Sequence, residues 1–442
     1  MRKLLSAILL LLPLFGKTQS ENNEKAQISV ITVEPWGREV HALFGHSAIR
    51  VNDSSEGYDY VFSYGVFGFD SPESVVKFIK GEADYMLEAV EYDGFEAEYR
   101  KRGANIHWQV LKLKDEEVTK IRNYLETNML PENRKYRYNT FYDNCATKIN
   151  EVLEKNIDGE ITYPRELIDV RTYRSMVGKC LVDRPWLKFG IDLLLGSDAD
   201  DKLYPQRQLF LPERQCEILE ECNVLKGMEQ RRLLKDSGAV EQLDESNEEA
   251  SNEEALNNEE ASNEEEQYLL EDSGAIAAPF SNEEPAETKS LFDSLHVPKY
   301  LCSPTAAAFI FLISSLIITY IQYRKGKIRL GATFDFILFF IIGTIGSLLT
   351  YMIVFSKHPC VFPNWNIFWT NPLQLAFSFV LLFRLSPKLL IGYLFANVAA
   401  LAFFLSMLMW MNQIIEPEFV LLTLTMIIRS GWNICYQLLI KN

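Results

Sequence analysis

The chain has 442 residues, of which 48% are hydrophobic, and 44 Lys plus Arg stand against 60 Asp plus Glu for a net charge of −16. The acidity is local: 18 acidic residues and no basic one fall between 236 and 287, and the remainder carries +2. That balance excludes a disordered chain as a whole and a strongly basic surface, so no nucleic-acid partner is expected.

Arg2 and Lys3 precede an apolar run from Leu4 to Phe15, and Thr18 and Ser20 take the small-residue positions of a cleavage site. This reads as a secretory signal peptide over 1–20, and the run is short for a membrane span. No cysteine follows it, so the protein is not itself a lipoprotein by this reading.

Residues 27–130 read as mixed strand and helix. Strands are expected at 26–35, 46–53 and 58–69, the last two joined by the polar turn at 53–57 as a hairpin. "SPESVVKFIKG" (71–81) reads as a helix capped by Ser71 or Ser74 and ended by Gly81. A strand at 105–113 and an amphipathic helix at 114–129 follow, the latter from Val118, Ile121 and Leu125.

In "YRYNTFYDNCATKINEVLEK" (136–155), Ala146, Ile149, Val152 and Leu153 share one helical face. The helix begins near Asn144–Cys145, with Asp143 or Asn144 as its cap or as a contributor to oxyanion binding. Cys145 then lies in the first turn, where free N–H groups and the helix dipole favour a thiolate and a developing oxyanion. The plain alternative is a small core residue. A nucleophilic cysteine needs a base. His41, His46, His107 and His296 precede the apolar C-terminal third. His46 opens a strand after Gly45, and His107 lies inside a strand beside Trp108. Among the seven cysteines, Cys180 can pair with Cys216 or Cys222, and no pair of CxxC motifs suggests zinc.

"SNEEA" recurs at 246–250 and 251–255, with variants at 257–261, 262–266 and 281–285. This composition reads as a disordered acidic linker over 236–300. Five apolar segments follow at 304–322, 331–355, 368–384, 389–411 and 417–438, each near the length of a span. The basic loops at 323–329 and 384–388 belong in the cytoplasm, which exports everything before residue 300 and leaves the C-terminus inside.

"FGHSAIRV" (44–51), "YDYVFSYGVFGF" (58–69), "NRKYRYNTFYDNCATKI" (133–149), "PWLKFGIDLLLG" (185–196) and "LFLPE" (209–213) resemble the periplasmic domain of the Lnb family of bacterial lipoprotein N-acyltransferases. "HPCVFPNWNIFWTNPL" (358–373) resembles the same family's transmembrane domain. The resemblance implies an α+β, circularly permuted papain-like domain of the NlpC-type or lecithin–retinol acyltransferase-like kind over 21–235. An all-α five-helix transmembrane domain over 301–442 completes the chain. In permuted members the histidine strand precedes the cysteine helix, as His46 precedes Cys145. Ala146 and Lys148 depart from the family pattern beside the nucleophile.

The resulting expectation is an inner-membrane acyltransferase with a periplasmic N-terminal domain. Cys145 is the nucleophile, His46 the base, and Asp59 or Tyr64 the group that orients the histidine. A membrane phospholipid is the acyl donor, a diacylated lipoprotein is the acceptor, and no metal or other cofactor is called for. His358, Asn364 and Asn366 either line a lipid access route or cap helix ends. "PWLKFGIDLLLG" is either a core helix or an interfacial platform. The competing readings are a Cys–His hydrolase of lipids or cell-wall amides and a non-catalytic envelope scaffold.

Overall fold

The computed structural model describes residues 26–37, 39–68, 71–164, 171–235, 303–325, 328–383 and 387–440. The leader at 1–20 and the acidic segment at 236–300 lie outside the described residues.

The N-terminal domain is built on six strands: β1 (Gln27–Val33), β2 (His46–Asp53), β3 (Tyr58–Val66), β4 (Asp84–Glu91), β5 (Ile106–Val110) and β6 (Lys135–Arg137). They form one antiparallel sheet in the order β5-β1-β2-β3-β4-β6. Period-two alternation divides the side chains between two faces. Ile28, Val30, Ile49, Val51, Phe62 and Tyr64 point to one face. Helices α3 (Asp115–Met129), α4 (Cys145–Asn156) and α8 (Pro212–Glu221) cover it through Val118, Ile121, Leu125, Ile149, Val152 and Ile218. Ile31, Val33, Ala48 and Val61 point the other way, onto Tyr92 and Phe95 of α2 (Tyr92–Lys101). Each fully buried aliphatic side chain here contributes about 1.5–3 kcal/mol.

Helix α1 (Pro72–Ile79) starts at Ser71, whose hydroxyl accepts the Ser74 N–H. Helices α5 (Tyr173–Cys180), α6 (Pro185–Leu194) and α7 (Pro205–Gln208) form a second layer around Phe141, Tyr173 and Phe210. A three-stranded sheet of β7 (Glu160–Thr162), β8 (Asn223–Lys226) and β9 (Glu229–Arg232) closes the domain. Neither of the possible pairings of Cys180 is formed: Cys180, Cys216 and Cys222 are all free thiols, and Cys222, at the end of α8, turns its Sγ to the Ile218 carbonyl one turn back.

The C-terminal region holds five helices long and apolar enough to cross a membrane. They are α9 (Pro304–Lys325), α10 (Ile328–Phe355), the segment Trp365–Phe383, which ends in α11 (Leu373–Phe383), α12 (Pro387–Met407) and α13 (Pro417–Cys435). The third is broken: a 3-10 turn, Trp365–Phe368, precedes α11, so the helix begins at Leu373. Glycines on α10 let that broken segment approach backbone to backbone. A methyl at Gly346 would stand 1.2 Å from the Thr370 carbonyl oxygen, and one at Gly343 2.1 Å from the Leu375 nitrogen. Arg429 of α13 is fully buried against Asp335 of α10, at 2.5 and 2.9 Å, with Thr319 and Gln322 accepting one further N–H each.

The two parts interlock through α6. Phe189 meets Phe419 at 5.1 Å between ring centroids, and Leu193 joins the buried cluster of Trp369, Leu394 and Phe419. "PWLKFGIDLLLG" is therefore the joint between the domains and not a free platform.

Candidate active site

The Asn144 side chain decides where α4 begins. Its Oδ1 accepts the Thr147 N–H at 3.0 Å, and Thr147 Oγ1 accepts the Asn144 N–H at 2.8 Å, a reciprocal cap. Its Nδ2 donates to the Phe210 carbonyl at 2.7 Å. Gln215 of α8 donates to the Ala146 carbonyl at 2.8 Å. The "LFLPE" stretch and the helix after it thus clamp the first turn of α4, with Cys145 as its first residue. Asn144 is the cap; Asp143 stands aside, 3.9 Å from the Lys148 ammonium.

Cys145 fits where β2 and β3 part. Their ladder runs from Asp53–Tyr58 to Ile49–Phe62 and stops. Beyond that point the Ser47 backbone N–H points at the Cys145 thiol, joined by the N–H groups of Cys145 and Ala146. Across the gap lies Gly65, at φ +102°, where a side chain would stand 3.8 Å from the Cys145 Cβ and 3.9 Å from the Tyr136 hydroxyl. Burial pushes the thiol above the ordinary cysteine value, and the three N–H groups oppose that without reversing it. The expected thiolate is thus a neutral thiol at rest, among donors arranged for a negative charge.

His46 is the neighbour of the Ser47 amide. Its ring stacks on Tyr99, 6.3 Å between centroids and 16° from parallel. Burial pushes its pKa down to about 4, helped by the positive charges of His41 and Arg102. The imidazole is therefore neutral across the physiological range. His41 is exposed beside Glu39, and His107 pairs with Glu34 at 2.7 Å, so neither belongs to the site.

Neither candidate for the third group reaches His46. Asp59 is held by a two-pronged ion pair to Arg50, at 2.7 and 2.6 Å, with Asn52 adding a third bond. It pairs opposite Asn52, far along β2 from His46. The Tyr64 hydroxyl accepts from Asn128 at 2.9 Å and lines a cavity of about 100 Å³ with Arg134, Tyr136 and Lys148. No hydrogen bond joins the His46 ring to a side chain among the described residues.

The groups missed in the sequence are the tyrosines around the thiol. Burial pushes the phenols of Tyr99, Tyr136 and Tyr138 upward, and a thiolate at Cys145 would push each further the same way. The Tyr136 hydroxyl is buried without a partner among the described residues. Tyr136 and Tyr138 alternate in "YRYN", the period of a strand edge, and that was the available signal.

The three lipid-access candidates lie elsewhere. Asn364 donates to the carbonyls of Leu193 and Leu194 at 2.9 and 3.1 Å, and Asn366 to Leu193 at 3.2 Å. Both cap the C-terminal end of α6, the helix-end role. His358 binds the Phe78 carbonyl at 2.9 Å, at the end of α1.

Family models give an independent comparison. One described as the Lnb N-terminal periplasmic domain matches residues 17–178, and one described as the Lnb transmembrane domain matches 297–440. The chain belongs to the Lnb family. No curated protein and no solved structure gives a significant match. Within the Lnb layout, the sheet domain carrying His46 and Cys145 is the periplasmic part, and α9–α13 are the transmembrane part. Lnb is an enzyme family, and membership suggests lipoprotein N-acyltransferase-like function in a multi-pass inner-membrane protein.

Proposed function

We propose that this Lnb protein moves an acyl chain from a membrane phospholipid, through a thioester on Cys145, to the α-amino group of a diacylglyceryl-cysteine at a lipoprotein N-terminus. The supporting observation is the convergence of three backbone N–H groups on the Cys145 sulfur, one of them from Ser47, the residue that follows the neutral His46 in β2.

In this reading Cys145 Sγ attacks an ester carbonyl of the donor while His46 takes the thiol proton. The N–H groups around the sulfur, with the Tyr136 hydroxyl, face the charge that develops as the carbonyl becomes tetrahedral. The C–O bond breaks, and His46 returns its proton to the lysophospholipid oxygen. The acceptor amine then attacks the thioester. Its proton passes to His46, the C–S bond breaks, and the proton goes back to the sulfur. An amide and the free thiol remain. The α-amino group, with a pKa of about 7.7–8.0, is partly neutral near pH 7 and able to attack.

Domain limits of 21–235 and 301–442, with the C-terminus in the cytoplasm, belong to the same proposal. The basic loops between spans support that orientation.

The test is acyl loading. Full-length protein incubated with labelled phospholipid and no amine should carry label on Cys145, releasable by neutral hydroxylamine. Cys145→Ala should carry none. A diacylated lipopeptide should discharge the label into a triacylated product. Label on another residue would refute the mechanism, and discharge to water at a rate unaltered by lipopeptide would favour a hydrolase.

A further inference from the structure

Helix α1 has no buried residue. Val75, Val76, Phe78 and Ile79 are each 40–47% exposed. At 3.6 residues per turn they gather on one side, and Glu73, Lys77 and Lys80 take the other. Where this helix sits decides what its apolar side meets. Its C-terminal end is fastened to the chain just beyond α10. The Lys357 N–H donates to the Lys80 carbonyl at 2.8 Å, His358 binds the Phe78 carbonyl at 2.9 Å, and Lys357 pairs with Glu82 at 2.9 Å. Gly81 makes the approach possible, since a methyl there would stand 2.8 Å from the His358 nitrogen. Val354 and Phe355, the last residues of α10, are 61% exposed on that transmembrane helix. Helix α1 thus lies within a few residues of the end of a span, at the level where hydrocarbon meets headgroups.

From this helix a row of aromatic rings runs inward. Centroids are 6.4 Å apart from Phe78 to Phe67, 4.6 Å from Phe67 to Tyr85 and 4.0 Å from Tyr85 to Tyr138. The row runs beside the nucleophile: Phe67 follows Gly65 by two residues, and a methyl on Gly65 would stand 3.8 Å from the Cys145 Cβ. Neighbouring rings offer an apolar path from α1 toward the nucleophile.

We propose that α1 is an interfacial helix seated in the outer leaflet, and that the row from Phe78 to Tyr138 is the track along which a lipid acyl chain reaches Cys145. The occupant is an alkyl chain of a bilayer lipid, because the exposed apolar side of α1 lies beside the end of a transmembrane helix and the ring row leads from it toward the strand that flanks Cys145. The track rests on the acyltransferase reading; the seating of α1 does not.

The full chain, carrying Cys145→Ala to hold the donor unreacted, would be reconstituted in bilayers containing a phospholipid with a diazirine in its acyl chain. After irradiation, adducts are expected on 72–79 and on Phe67 or Tyr85, besides those on the spans. Adducts confined to 304–438 would overturn the proposal. A Val75→Asp, Ile79→Asp double variant, checked for folding by thermal unfolding, provides the second arm. Its ratio of Cys145 acylation by bilayer phospholipid to acylation by a soluble short-chain p-nitrophenyl ester should fall about ten-fold, the equivalent of 1.4 kcal/mol. An unaltered ratio would overturn the track. If neither donor acylates Cys145 in the parent protein, the acyl-transfer reading fails with the track, and the photolabelling still decides where α1 sits.

Discussion

A base must be neutral to accept a proton, so the depressed pKa of His46 makes a prediction about acid. An ordinary histidine, at about 6.5, would be neutral in only about a tenth of molecules at pH 5.5, and acylation would fall about ten-fold between pH 7.5 and 5.5. With burial and the charges of His41 and Arg102 holding His46 at about 4, roughly 97% remains neutral at pH 5.5 by the same equilibrium. Single-turnover acylation of Cys145 should therefore be nearly flat from pH 5.5 to 7.5 and fall only toward pH 4. Arg102, which stacks at 5.5 Å on Tyr99, sets part of that position. Arg102→Glu replaces a repelling charge with an attracting one and should move the acid limb upward. Stability has the same origin. The folded pKa lies below the unfolded one, so the folded state binds fewer protons between pH 4 and 6.5. Stability should rise with pH through that window and be lost as pH falls through it, less steeply in His46→Gln. The assay is rapid-quench acylation with labelled donor across the pH series. A wild-type acid limb centred at 6.5, or an Arg102→Glu profile that does not move, would refute the reasoning.

Asn144→Ala removes the α4 cap and its tie to Phe210, at a cost of about 1–2 kcal/mol; a lower thermal midpoint should accompany slower acylation as the first turn loosens. Asp59→Asn should lower the midpoint through its Arg50 contacts and leave the acylation rate intact, and a loss of acylation would return Asp59 to the site. Arg429→Ala strands Asp335 inside the membrane domain and should cost about 3–5 kcal/mol, read as loss of folded protein in detergent. Gly346→Val drives a side chain into the Thr370 carbonyl and should abolish assembly of the membrane domain, which size-exclusion profiles of the membrane extract will register.

The strong periodicities were legible. The strand beginning at His46, the helix beginning at Cys145 and the Ser71 cap all carry local signals that long-range packing did not override. Strand β4 and helix α2 were not seen, because Glu88 and Glu91 interrupt the apolar alternation of the first and α2 buries only Tyr92 and Phe95. The tyrosines around the thiol come from two separate stretches, α2 and the edge formed by β6, and a chain read in order does not bring them together. Asp59 looked apt by position, but the register places it opposite Asn52, and Arg50 claims it. Nor does the pattern of a helix start reveal that burial outweighs its N–H groups at Cys145.

The fit between the two domains changes what the chain connection is needed for. Asn364 and Asn366 hold the end of α6, Gly196 donates to Cys360 at 2.6 Å, and Lys188 pairs with Glu416 at 2.6 Å. These contacts are specific and span several elements on each side. Two separate polypeptides, cut anywhere in 236–300, should then recognise one another and reassemble. The protein is, in effect, a heterodimer that happens to be encoded as one chain. Complementation between co-expressed halves would allow each to be varied, labelled or purified through its own tag.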